Sequence, residues 1–220
     1  MKKAALSFRK GSAPGPSGLR PEHLNVTLKM APANRTDKAG AALTRLVNIM
    51  ARGEVPEEVA PYLCGARLHG ALKKDGGLRP IAVGNLLRRL TSKLVASDLA
   101  AKASAHLAPH QLGVGVRGGC EAIFHTVKKA LEEDPDQWIL QADFKNAFNL
   151  ADRDATFLEV EERFPECLSW VLSSYQSPSL LQYGDSTIKS EAPLLPGAAP
   201  SSQEDPGRGA RPPSECMVPG

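Results

Sequence analysis

The chain has 220 residues, 42% hydrophobic and 23% charged, so it holds enough apolar material for a packed core and too much for wholesale disorder. Its net charge of +3 conceals a split: residues 1–130 carry 21 Lys and Arg against 8 Asp and Glu, and residues 131–220 carry 6 against 16. No apolar run approaches the roughly 18 residues of a membrane span, and the start MKKAALSFRKGSAPG has no apolar segment of a secretory leader. The four cysteines (Cys64, Cys120, Cys167, Cys216) lack C-x-x-C spacing and read as free thiols in a reducing compartment. His69, His106, His110 and His125 have no zinc partner at ligand spacing and read as structural or surface residues.

Taken in chain order, residues 1–35 read as an extended segment stiffened by Gly and Pro (GSAPGPSGLRPEH). Residues 36–52 have apolar positions Leu43, Leu46, Val47 and Met50 at helical spacing, and Gly53 stops that helix. EVPEEVAPYL reads as a turn and short helix. Residues 66–83 form a predicted β-hairpin around Asp75-Gly76-Gly77, whose glycines admit positive φ. A long helix is expected over 85–106, with Leu87, Leu90 and Leu94 on one side and Arg88, Arg89 and Lys93 mostly on the other. After a Gly-rich loop, a helix over 119–133 is expected to bury Ile123, Phe124, Val127 and Leu131. Residues 137–143 (QWILQAD) read as a buried strand ending on Asp143. Trp138 and Trp170 read as core or edge aromatics. Two helices follow, the first holding Phe157, Val160 and Phe164, the second Leu168, Val171, Leu172 and Tyr175, and then a hairpin over 179–189 turning at Gly184-Asp185. Residues 191–220 hold 7 Pro and 4 Gly without apolar periodicity, and read as a disordered tail.

The basic half suggests a polyanionic partner, most simply nucleic acid. The acidic half is a solvated surface or a source of carboxylates for a metal ion. An acid at the C-terminal end of a buried strand, as Asp143 is expected to be, is paired, caps the next turn or holds a metal. Lys73 and Arg79 flank the DGG turn, where a point charge and a planar guanidinium can grip phosphate oxygens; Lys74 is an alternative to Lys73. Arg88, Arg89 and Lys93 meet backbone phosphates or form a solvated helix face.

Several blocks occur in one order: SFRKGSAPGPSGLRPEHL, GEVPEEVAPYLCGARLHGALKKDGGLRPIAVGNLLRRLTSK, LAPHQLGVGVRGGCEAIFHTV, ILQADFKNAFN and SSYQSPSLLQYGDSTIKS. On these blocks, from about Leu6 to Ser190, the chain resembles the reverse transcriptase of non-LTR (LINE-like) retrotransposons. The resemblance implies an α+β, helix-rich, incomplete right-hand polymerase fold. Residues 36–135 would be the fingers-like region and 136–190 a partial palm. It implies RNA-directed DNA polymerisation with Mg²⁺, an RNA template, a DNA primer and deoxynucleoside triphosphates, and nuclear action. Asp143 would be the catalytic metal ligand, with the Phe144 carbonyl beside it. Lys73 and Arg79 would hold the triphosphate, and Phe148 would pack under the sugar and obstruct a 2′-hydroxyl. Gln111, Gly113 and Gly115 match a Q-L-G-x-G loop near the template.

Two elements of the family are missing. Two-metal phosphoryl transfer takes more than one carboxylate, and the later Y-x-D-D hairpin and the G-x-Q-Q-G-D-P-L-like block before it do not occur here. Tyr183-Gly184-Asp185-Ser186 does not replace them, since its fourth residue is Ser and it lies 42 residues after Asp143. The change of composition after Ser190 is what a frameshift, a mis-spliced exon or a premature end of a decayed element leaves. The sequence therefore reads as a polymerase fragment inactive by itself, or as a non-enzymatic nucleic-acid-binding remnant. No endonuclease motif is visible.

Overall fold

The computed structural model describes residues 1–30, 32–74, 76–144 and 151–190. The predicted C-terminal disorder lies outside these residues, and so does Phe148. The chain is α+β, combining helices with a four-stranded sheet. Helices α1 (Lys2–Leu6) and α2 (Pro21–Asn25) precede a π-helical turn, Val26–Met30. Then come α3 (Ala33–Ala51) and α4 (Ala60–Leu63), strands β1 (Ala66–Leu72) and β2 (Leu78–Gly84), and helices α5 (Leu86–Leu107), α6 (Gly119–Glu133), α7 (Arg153–Arg163) and α8 (Leu168–Tyr175). Strands β3 (Leu180–Tyr183) and β4 (Ser186–Lys189) complete it. No described helix is long and apolar enough to cross a membrane.

Both hairpins form where glycine permits the turn. Gly76 has φ +81°, and a five-residue loop returns the chain with Leu72 opposite Leu78. Within that loop Lys73 N–H donates to the Gly77 carbonyl at 2.7 Å. Gly184, at φ +57°, allows the two-residue turn that sets Tyr183 opposite Ser186. The strand order is β2-β1-β3-β4. The central joint is parallel, pairing Ala66 with Leu181 and Arg67 with Gln182, so the second hairpin extends the first across a gap of more than a hundred residues. The joint crosses the predicted boundary at 135/136: part of the expected palm shares a sheet with the expected fingers. Pro80, which has no N–H to donate, sits on the edge strand β2, where that loss is tolerated.

Residues 1–35 are not the extended segment their composition predicts. Ala5, Leu24 and Leu28 are buried with Val47, Leu86 and Leu90 in one cluster, so the N-terminal helices form a layer of the core against α3 and α5. Pro21 supplies the fixed φ of a first helical position and starts α2 instead of preventing it. A second packed region joins α3 to α8: Trp170 and Cys167 are buried, and Gly53, at φ +70°, ends α3 so close to the Ser169 carbonyl that a Cβ would lie 2.8 Å from it.

Two further expectations are overturned. Helix α6 has its predicted bounds, yet Ile123, Phe124, Val127 and Leu131 are exposed, Phe124 by 63%. Residues 137–144 form no strand; Trp138 is 99% exposed and Leu140 93%. An apolar run becomes a buried strand only beside a sheet edge and under a covering layer, and among the described residues it has neither. Asp143 and Phe144 are consequently exposed on an unpaired segment and do not sit at a strand end.

Candidate nucleic-acid interface

The interface is built on the first two turns of α5. Leu86 and Leu90 point into the core and are fully buried, while Arg88, Arg89 and Lys93 border a depression between α5, the end of β2 and Phe8. Arg89 and Lys93 are four residues apart, one turn above the other on the same face. Both sit over the ring of Phe8, at 5.4 Å and 4.8 Å from its centroid. Arg89 also donates to the Ala13 carbonyl at 3.2 Å. Arg88 turns the other way, giving a 2.6 Å hydrogen bond to the Cys64 carbonyl and lying 5.1 Å from the Tyr175 ring centroid. It therefore braces α5 against the start of β1 and the end of α8, besides presenting charge.

Two adjoining depressions open here and share Arg89. Phe8, Arg88, Lys93 and Tyr175 contribute to the first, and Arg9, Lys10, Gly11, Ser12 and Val83 to the second. Five cations line the pair and no carboxylate does. None of the five joins an ion pair among the described residues. Positive charge gathered without ion-pair partners repels itself, and a polyanion relieves it.

The loop carrying Arg9 and Lys10 is fixed by Asn85, which is 5% exposed. This residue precedes α5, where an asparagine usually caps the helix, but its side chain makes no cap bond. Its Oδ1 accepts the Ser17 N–H at 3.0 Å, and its Nδ2 donates to the carbonyls of Tyr62 at 2.6 Å and Leu63 at 3.4 Å. Gly15 lies flat against the same place; a Cβ there would meet the Asn85 and Gly84 backbone at 2.7 Å. Farther along, the Gly11 N–H donates to Glu22 Oε1 at 2.7 Å, which holds the Glu22 carboxyl below the usual carboxylate range.

The predicted phosphate clamp lies at the hairpin tip. Arg79 is paired with Ala71, so Ala71, Arg79 and Ile81 share one face of the two strands, and Lys73 follows β1 in the turn. They line a depression of about 520 Å³ with Leu72 and Lys74, so both lysines border it together with Arg79. Val83 alternates onto the same face of β2 and lines the depression that Arg9 and Lys10 border. The tip and the second depression thus share the Arg79-Ile81-Val83 face, about 13 Å apart at the rise of a strand, whereas the first depression meets β2 through Ala82 and Gly84, which alternate onto its other face.

The remaining predicted residues fall elsewhere. Gln111 acts within its own loop, its Oε1 accepting the N–H groups of Gly113 and Val114, the second at 3.0 Å. Asp143 and Phe144 border neither the tip depression nor the basic groove. No group of three or more His, Cys, Asp or Glu side chains in metal-binding arrangement exists among the described residues. The predicted donor set here, one exposed carboxylate and one carbonyl, does not fit a two-metal centre. The thiol of Cys64, beside Arg88, is pushed up by burial; the guanidinium offsets only part of that.

Sequence reasoning did not assign Phe8, Arg9, Lys10, Asn85 or Tyr175 to the site. Their one signal is that Phe8, Arg9 and Lys10 open the first resemblance block, Asn85 lies in the second and Tyr175 in the last. No protein-family model matches the chain, and neither a curated protein nor a solved structure matches it.

Proposed function

We propose that this chain is the fingers and early palm portion of a reverse-transcriptase-like, RNA-directed DNA polymerase of the non-LTR type, whose own contribution is to bind nucleic-acid and nucleotide phosphates. The observation that carries this reading is the convergence of Arg9, Lys10, Arg88, Arg89 and Lys93 without a lining carboxylate. They come from the first two resemblance blocks, and the YGDSTIKS block joins the same sheet through β3. In this reading Arg79, with Lys73 or Lys74, takes the triphosphate of a deoxynucleotide, and the α5 groove takes template or primer backbone. Phe148 governs the sugar, and Asp143 with Phe144 serves Mg²⁺ when further carboxylates are supplied.

A second reading, a non-enzymatic nucleic-acid-binding remnant, is favoured by one specific observation: Asp143 stands on an exposed, unpaired segment. Both readings require binding that falls steeply with salt. If each of the five cations neutralises one phosphate of a single strand, log K falls with log salt at a slope of roughly −3 to −4, about a hundred-fold in affinity between about 50 and 200 mM salt. Primer extension separates the two readings. The purified chain is expected to incorporate no nucleotide with Mg²⁺ or Mn²⁺. Template-dependent incorporation abolished by Asp143→Ala would show it to be a complete enzyme, and salt-insensitive or absent RNA binding would defeat both readings.

A further inference from the structure

We propose that Phe8 is a positioning residue that holds Arg89 and Lys93 together for a nucleic-acid phosphate chain, its ring face being occupied by those cations and not offered to a base. The inference rests on the nucleic-acid reading of the α5 groove and adds how that groove is kept ready. Like charges one helical turn apart repel, and neither Arg89 nor Lys93 has a carboxylate to hold it among the described residues. Arg89 has the Ala13 carbonyl as a second tether; the Lys93 ammonium has the ring, at 4.8 Å. Phe8 is fixed in turn, because it is half-buried and packs against the core cluster that includes Ala5, Leu86 and Leu90. The ring thus links the apolar core to the charged groove. Two long side chains that would otherwise sample many rotamers are gathered before the ligand arrives, which lowers the ordering cost of binding.

A bare aromatic in a basic groove would serve as a stacking platform for bases. Here two cations cover the ring, so its effect on affinity passes through Arg89 and Lys93. That difference is measurable with a labelled single-stranded RNA oligonucleotide, the full chain, and anisotropy titrations over a potassium chloride series. Phe8→Leu keeps an apolar contact with the core and removes the π face; it is expected to weaken binding by about 3- to 10-fold at low salt. Phe8→Trp is expected to restore wild-type affinity. In an Arg89→Gln/Lys93→Gln background, Phe8→Leu is expected to cause no further loss. The proposal is overturned if Phe8→Leu binds as wild type, or if it weakens the double variant by the same factor, the signature of direct stacking. Should Arg89→Gln/Lys93→Gln bind RNA as the wild type does, the nucleic-acid reading of the groove has failed, and this inference with it. If Phe8→Leu does not fold, proton NMR of the wild type decides. The Lys93 ε-methylene protons should resonate upfield of an ordinary lysine and move as RNA is added; an unshifted resonance overturns the proposal.

Discussion

Asn85 is the residue whose removal tests the architecture of the interface most directly. Asn85→Ala deletes one acceptor and one donor from a position 5% exposed to solvent. The Ser17 N–H and the Tyr62 carbonyl lose bonds of 3.0 Å and 2.6 Å, and the 3.4 Å contact with Leu63 adds little. Two good bonds at about 1 kcal/mol each, plus partial desolvation of the partners left behind, give a loss of about 2–3 kcal/mol. The upper range for unsatisfied groups does not apply, because Ser17 and Tyr62 are exposed enough for water to replace part of what is lost. Urea unfolding followed by far-UV circular dichroism is the assay, with an unchanged m-value as the check that the comparison holds. Asn85→Asp keeps the acceptor for Ser17 but sets a carboxylate oxygen against the Tyr62 carbonyl, so it should fall at least as far. Both variants should also weaken RNA binding, since the loop bearing Arg9 and Lys10 is released. A change in unfolding free energy below about 0.5 kcal/mol, the ordinary surface range, would show that the Asn85 bonds do not hold the loop.

Glu22 tethers the same loop through Gly11, and its folded pKa lies below the ordinary value of 4.5 because the Gly11 N–H stabilises the carboxylate, with Arg20 and His23 adding to the effect. Its contribution is fully present above the unfolded value and is lost as pH falls through the folded one. The melting temperature of the wild type should therefore drop below about pH 4.5 more steeply than that of Glu22→Gln; parallel curves would refute the tether. Among the described cysteines, Cys120 is exposed, whereas Cys64 and Cys167 are buried with thiols pushed up chiefly by desolvation. Iodoacetamide at mildly alkaline pH should modify Cys120 first and reach Cys64 and Cys167 only on unfolding, and early labelling of Cys64 by mass spectrometry would contradict the packing.

What could be read in the sequence was what local chemistry determines. The glycines at 76 and 184 announce their hairpins, Gly53 ends α3, and the bounds of α6 are those its pattern predicts. Contacts between distant residues were illegible. The parallel joint of β1 to β3 and the seating of Phe8, Arg9 and Lys10 beside α5 depend on partners roughly 80 to 115 residues away, and no periodicity records such a pairing. The helices of the N-terminal segment were hidden by its glycines and prolines, although those residues fall at turns and at a helix start. The apolar stripe of α6 and the run at 137–140 carry the pattern of buried elements and are nonetheless exposed, because burial also takes a covering partner, which periodicity does not record.

The two halves of the predicted site differ in how they are held. The proposed phosphate-binding half has supports of several kinds: Asn85 ties its own segment to those of Ser17 and Tyr62, Arg88 braces α5 against β1 and α8, and Phe8 connects two cations to the core. Asp143 has no comparable support, standing in an exposed segment in which Trp138 and Leu140 are almost wholly open to solvent. Metal-directed chemistry needs its ligands held to within about 0.5 Å by a surrounding shell, whereas phosphate neutralisation tolerates side chains that move, because charge acts over a Debye length of about 8–10 Å. Phosphate binding is thus the part of the proposed function that these contacts favour. Catalysis through Asp143 would require the segment 137–144 to gain both a pairing strand and further carboxylates.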